Sequence, residues 1–199
     1  MGFSDIIDLA GSMLVGGLMM LIIFRTSDSA AENVYNNGGE LILQRNLAVT
    51  AEVLENDFRK IGYCSNWSKI PDPSKSILQA DSNKIKFLTD VDSDGDVDTM
   101  HYYLGSASAL VQTSNPRDRL LYRVINNETP AGINLGVTQF KMLYFNPLGD
   151  TIAFPITMPS EIYTMEINIT VENTEAYDQK YSSAFWRQIR LVARNLRNR

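Results

Sequence analysis

The sequence predicts an α+β fold in which two helical segments precede an antiparallel β-sheet. Three observations lead to this prediction. Residues 9–24 contain no charged side chain, apolar residues over 43–61 recur with a helical period, and apolar and polar residues alternate beyond Gly62 as they do in strands. We divide the chain into three segments: an anchoring and assembly helix over 1–25, a polar break and amphipathic helix over 26–61, and a β-rich head domain over 62–199.

The first element is a helix long enough to cross a membrane. With the three residues before it, the uncharged run 9–24 reaches about 19 residues, and at about 1.5 Å per residue it spans about 28 Å. A buried core helix would show a polar face, and a signal peptide would begin with basic residues. This segment has no polar face, and its first basic residue is Arg25. We therefore predict a single-pass anchor in membrane lipid.

Charged residues flank this anchor on both sides. Arg25 follows it, which weakly favours a cytoplasmic head domain because cytoplasmic flanks are enriched in basic residues. Asp5 and Asp8 precede it, and the helix dipole alone accounts for acids in a first turn. If the anchor packs among copies of itself, a carboxylate at membrane depth needs a cation, such as the α-amine of a neighbour. Close approach of the helices would then use the small residues Gly11, Gly16 and Gly17.

A polar stretch separates the anchor from the second helical segment. Residues 26–39 are small and polar and end in Asn-Asn-Gly-Gly, which we expect to break or loosen a helix. Beyond it, a narrow apolar stripe predicts an amphipathic helix from about residue 40 to residue 61. The stripe consists of Leu43, Leu47, Ala51, Leu54, Phe58 and Ile61.

The head domain begins where the apolar period changes to two. The clearest strand is 163–171, where every second residue is apolar, as in a strand with one buried and one solvated face. Further strand candidates, separated by turn-forming residues, are 85–88, 100–104, 120–125 and 137–145. We expect one face of this sheet to pack on the stripe of the amphipathic helix.

The sharpest local motif is the acidic loop 90–98, with the sequence DVDSDGDVD. Its first six residues match the start of a calcium loop, but the twelfth position holds His101 and the flanks are strands, so an EF-hand is disfavoured. Two interpretations remain, a calcium-binding hairpin loop and a solvated acidic turn. In the first, the candidate Ca²⁺ ligands are Asp90, Asp92, Asp94, Asp96 and Asp98.

No pattern in the sequence predicts an enzyme or a nucleic-acid binder. The motifs for nucleotide binding, for a nucleophile elbow and for a zinc protease do not occur. The lone Cys64 would need a base to act as a nucleophile, and nothing local connects it with His101, the only histidine. The net charge of -5 argues against general nucleic-acid binding.

The order of these features resembles that of type IV pilins and of type II secretion pseudopilins, and it is most similar to the PilW-like and J-type minor subunits. Five stretches carry the likeness. They are the end of the amphipathic helix at 54–64, the strand, Asp-rich turn and YYL strand over 85–104, the runs 121–123 and 136–140, and the run Arg194-Asn195-Leu196. The resemblance implies a pilin-like structural subunit of an envelope-anchored filament or secretion pseudopilus, with no catalytic residues.

The resemblance also implies how such a subunit assembles. Processing after Gly2 would make Phe3 the first residue, Asp5 the third and Asp8 the sixth. In the family the acid is usually the fifth residue, so the two aspartates lie on either side of that position. The helix would anchor in the inner membrane and pack with copies of itself or related subunits, and the head would lie outside the cytoplasm or in an extracellular filament. The alternative hypothesis is a single-pass, membrane-anchored accessory or binding domain that forms no filament.

Overall fold

The computed structural model describes residues 2–110, 112–174 and 181–191. Within these residues the protein has one long helix and seven strands. They are α1 (Phe3–Arg59), β1 (Ile77–Ala80), β2 (Lys84–Thr89), β3 (Asp98–Leu104), β4 (Arg119–Ile125), β5 (Ala131–Phe145), β6 (Thr164–Glu172) and β7 (Ser183–Leu191). The run Arg194-Asn195-Leu196, which contributed to the family resemblance, lies outside the described residues.

The helix α1 is continuous through the segment where the sequence predicts a break. All of 26–39, including the Asn-Asn-Gly-Gly run, is helical, so the predicted break is absent. A glycine within a helix costs about 1 kcal/mol relative to alanine but does not prevent helical geometry. Packing of the following turns on the sheet stabilises the helix beyond what local propensity predicts. The helix ends at Arg59 rather than at residue 61, and the chain turns at Gly62, where φ is +72°.

The strands form one antiparallel sheet in which each strand pairs with the next along the chain, in the order β1 to β7. The five predicted strands are confirmed, and they coincide with β2, β3, β4, β5 and β6. The strands β1 and β7 are not among the predicted strands, and the four residues of β1 are too few for an alternating pattern to show.

One face of the sheet packs on the C-terminal part of α1, as the apolar stripe predicts. Leu54 and Phe58 are fully buried, and the Phe58 ring meets the ring of Phe87 on β2 edge to face, with 5.5 Å between the centroids. The same core includes Phe140 of β5 and Ile167 of β6. The α+β arrangement of one long N-terminal helix on an antiparallel sheet is therefore confirmed.

The N-terminal part of α1 lies outside this core. Every residue from 2 to 38 whose exposure the structure describes is exposed, Gly39 is the first that is partly buried, and Leu43 is the first that is buried. At about 1.5 Å per residue, the exposed helix is about 54 Å long. Of the described helices, α1 alone is long and apolar enough to cross a membrane, and none of its apolar segment is buried within the protein.

Candidate assembly helix and candidate metal site

The residues predicted for assembly lie on the exposed part of α1. Phe3 is the first helical residue and is 82% exposed, and the position of Asp5 lies between it and Asp8 within the first two turns. The exposed apolar side chains beyond these residues include Met13 and Leu14, at 73% and 65% exposure. Exposure of such apolar side chains to water is unfavourable, and contact with lipid or with another helix would remove that cost.

The predicted assembly glycines face open space. A Cβ atom built on Gly11, Gly16 or Gly17 would contact nothing within 4 Å. Nothing in the described chain therefore requires these positions to be small, although each glycine lowers the intrinsic stability of the helix. Small residues at these positions leave room for the close approach of another helix.

The acidic loop 90–98 joins β2 to β3, and the structure brings three of its five aspartates together. One carboxylate oxygen from each of Asp90, Asp92 and Asp98 lies within 4.8 Å of the other two. Three carboxylate oxygens this close can share one cation, because hard cations are bound by several oxygens at once. We call these three residues the aspartate triad.

The other two aspartates of the loop have different partners. The Asp94 carboxylate accepts a hydrogen bond from the backbone N–H of Asp96, with an N···O distance of 2.7 Å. The Asp96 carboxylate forms an ion pair with Lys69, which belongs to the short 3-10 helix Trp67–Lys69. The structure therefore does not place these two predicted ligands in the triad.

Asp90 is the buried member of the triad, with 0% of its surface exposed. Its Oδ2 atom accepts hydrogen bonds from the backbone N–H groups of Ser65 and Gly95, at 2.9 and 3.1 Å. Its Oδ1 atom is also buried and has no hydrogen-bond partner within the part of the chain that the structure describes. Burial opposes ionisation, but these N–H bonds outweigh it and lower the pKa of the Asp90 carboxyl below its ordinary value.

Asp98 and Asp92 complete the triad from more open positions. The Asp98 carboxylate accepts the backbone N–H of Val91 at 3.0 Å and the side-chain amide of Asn126 at 2.7 Å. Asp92 is exposed. The loop folds back between them because Ser93 and Gly95 adopt positive φ angles of 66° and 89°. Gly95 suits this conformation, since a residue without a Cβ atom adopts positive φ without strain.

Hydrogen bonds connect the acidic loop to the segment that follows α1. The Asp90 N–H donates to the carbonyl of Tyr63 at 2.8 Å, and the ammonium of Lys60 donates to the carbonyl of Val91 at 3.1 Å. The buried Cys64 thiol donates to the carbonyl of Gly95 at 3.7 Å. These contacts make the end of the helix and the loop one local unit.

A buried polar cluster that the sequence patterns above do not predict lies between α1 and the sheet. The Asp57 carboxylate, in a residue 6% exposed, accepts hydrogen bonds from the hydroxyl of Tyr102 at 2.5 Å and from Nε of Arg123 at 2.7 Å. Burial, and next the negative charge of Asp57, raise the pKa of Tyr102. Asp57 follows Leu54 by three residues and lies beside the apolar stripe. This position is the sequence signal that could have indicated the buried polar cluster.

No family model, curated protein or solved structure matches this chain. The likeness to pilins and pseudopilins therefore depends on the order of the sequence features described above. Among the described residues, the apolar segment of α1 is exposed, and the aspartate triad has the geometry to hold a metal ion.

Proposed function

We propose that this protein is a structural subunit, pilin-like or pseudopilin-like, of an envelope-anchored filament or secretion pseudopilus. One observation carries the proposal, the complete exposure of the apolar first half of α1. Its apolar side chains surround the helix instead of forming one stripe, so one flat partner surface cannot cover them all. Lipid or a bundle of neighbouring helices covers such a helix on every side.

The function follows from these two environments. Before assembly the helix lies in the inner membrane as a single-pass anchor, and after assembly it lies among the corresponding helices of identical or related subunits. Asp8 then leaves a position near the membrane surface for the interior of the bundle, where it needs a positive partner. The α-amine at the start of a neighbouring helix supplies that charge, and the open glycines allow the backbones to approach.

The continuity of α1 supports a subunit more than a tethered domain. A domain that only needs attachment to a membrane can use a flexible linker, which lets it reorient. Here the helix passes without interruption from the exposed segment onto the sheet, where it packs against β5, β6 and β7, so no flexible linker separates the head from the anchor. In a filament, that rigid connection transmits the packing of the helices to the position of each head. The head would lie outside the cytoplasm, in line with the family resemblance.

The test compares two aspartates on the same helix. The full chain is reconstituted in lipid vesicles as wild type, Asp8→Ala and Asp28→Ala, and oligomers are counted after cross-linking. Asp28 is exposed and follows the apolar segment, so its removal makes the same charge change outside the proposed contact. We expect oligomers for wild type and Asp28→Ala, and their loss for Asp8→Ala, with unchanged circular dichroism of the head.

Two outcomes would contradict the proposal. A wild-type chain that stays monomeric in vesicles, with Asp8→Ala indistinguishable from it, would favour the single-pass accessory domain. A full chain that stays a freely soluble monomer without detergent would contradict both hypotheses, because each requires the exposed apolar helix to leave water.

A further inference from the structure

We propose that the aspartate triad binds one Ca²⁺ ion, and that the bound ion fixes the segment following α1 to the β2–β3 loop. The proposal concerns the head alone and does not depend on filament assembly. Three of the five aspartates of the loop are the ligands of this ion, namely Asp90, Asp92 and Asp98. The bound ion also stabilises the junction between the helix and the sheet.

The buried carboxylate of Asp90 is the main argument for an ion. In a solvated acidic turn, each carboxylate oxygen would be hydrated or would accept a hydrogen bond. Asp90 is fully buried, its Oδ2 atom has two N–H donors, and its Oδ1 atom has neither solvent nor a donor among the described residues. Leaving an oxygen of a buried anion without any partner is unfavourable, and a coordinated cation removes that cost.

The charges around the triad give a second, independent argument. None of the three carboxylates forms an ion pair within the described residues, whereas Asp96, a few residues away, has Lys69. The ammonium of Lys60 is close to the loop but donates to the carbonyl of Val91. Three carboxylates with oxygens within 4.8 Å of one another repel each other unless a positive charge lies between them.

The ligand chemistry favours calcium over other ions. The site offers only oxygen atoms, which excludes the soft metals that prefer sulfur and nitrogen. Its ligands come from a turn with one exposed member, Asp92, so water can complete an irregular coordination shell. Ca²⁺ accepts six to eight oxygens in flexible geometry, whereas Mg²⁺ requires a near-ideal octahedron and keeps most of its own water.

This stabilising role of the ion follows from the bonds of the same residues. Asp90 accepts the N–H of Ser65 and donates its own N–H to Tyr63, so an ion that immobilises Asp90 also immobilises the chain just after α1. That segment lies at the junction between the helix and the sheet. Ca²⁺ binding would therefore slow local opening of this junction, which hydrogen exchange measures directly.

The experiment uses the full chain in detergent after treatment with a chelator. Calcium chloride is titrated by calorimetry, and thermal unfolding is recorded with and without the ion. We expect one Ca²⁺ per chain, with a Kd of roughly 10⁻⁴ to 10⁻³ M as in extracellular modules, and a higher Tm. Exchange of the Ser65 and Gly95 amides should slow in calcium, while that of amides on β6 should not change.

The loop provides matched controls of equal charge. Asp92→Asn and Asp98→Asn should weaken calcium binding at least tenfold, and Asp94→Asn and Asp96→Asn should change it less than about threefold. Asp92 is exposed, whereas Asp90 is fully buried, so Asp92→Asn should fold even where Asp90→Asn does not. An absence of heat up to about 10 mM calcium would overturn the proposal, because this concentration is well above the largest Kd expected, roughly 10⁻³ M. Equal losses in all four variants or equal binding of Mg²⁺ would also overturn it.

Discussion

The carboxylate of Asp57 lies 2.7 Å from Nε of Arg123, and this ion pair joins the end of α1 to the middle of β4. The hydroxyl of Tyr102 on β3 donates to the same carboxylate. A negative charge this deeply buried is stable only while its partners remain, since the interior solvates it poorly. The pair therefore sets the position of the helix on the sheet, in addition to the apolar contacts around Phe58.

Removing the buried acid should destabilise the head strongly. We expect Asp57→Ala to lower the free energy of unfolding by about 3 kcal/mol, because Arg123 and Tyr102 lose their acceptor. Urea unfolding of the full chain in detergent measures this. Glu55→Ala is the control: its pair with Arg59 lies on the exposed side of the same helix and should contribute less than about 1 kcal/mol. Similar losses in the two variants would contradict the structural role assigned to Asp57.

The stability of the head should fall as the medium becomes mildly acidic, because of His101. Its Nε2 atom is buried without a hydrogen-bond partner among the described residues, and Lys86 is its cross-strand neighbour on β2. Burial first, and then the charges of Lys86 and Lys84, lower the pKa of His101 below its ordinary value of 6.5. The unfolded chain therefore binds the proton first, and the stability that neutral His101 contributes is present above pH 6.5 and lost as the pH falls through its folded pKa.

This pH dependence can be measured by comparing unfolding at pH 7.5 and below pH 6. We expect His101→Gln to reduce the difference between the two values, and an NMR titration to place the pKa of His101 below 6.5. Lys86→Met should move that pKa upward, because it removes the nearest positive charge on the facing strand. An unchanged pKa in this variant would exclude Lys86 as a cause and leave burial and the charge of Lys84.

The sequence predicts those parts of the fold whose residues repeat with a clear period. The stripe from Leu43 to Phe58 and the alternation in 163–171 each indicate one buried face, and the structure confirms both. The continuity of α1 could not be predicted, because helix propensity alone disfavours the Asn-Asn-Gly-Gly run. The long helix on either side of that run overrides this local preference.

The candidate sites were predictable only in part, for a similar reason. Acidic residues at every second position locate the loop 90–98, but they do not indicate which carboxylates converge. That depends on positive φ angles at Ser93 and Gly95 and on an N–H donated by Ser65, a residue distant in sequence. The Asp57–Arg123 pair likewise joins residues far apart in the chain, so the sequence marks Asp57 beside the apolar stripe but does not indicate its partner.

Close packing of the assembly helix should be sensitive to added volume at Gly16. Under the proposed function, Gly16→Leu should abolish oligomers in vesicles, although leucine is the better helix former and a Cβ atom here would contact none of the described residues within 4 Å. Ala10→Leu is the control, because it adds volume in the same apolar segment about 120° around the helix from Gly16. Oligomers that persist in Gly16→Leu would show that this side of the helix faces lipid.

The continuity of α1 itself can be tested at its two adjacent glycines. A Cβ atom on Gly38 would contact none of the described residues within 4 Å, whereas one on Gly39 would collide with the side-chain amide of Asn173. If the helix is unbroken here, Gly38→Ala should stabilise it by about 0.5 to 1 kcal/mol, because alanine is the better helix former. Gly39→Ala should gain less or lose stability, since Asn173 must move. Hydrogen exchange of the amides from residue 34 to residue 42 measures both effects. A destabilising Gly38→Ala would indicate that the chain leaves helical geometry at this point, as the polar run had predicted.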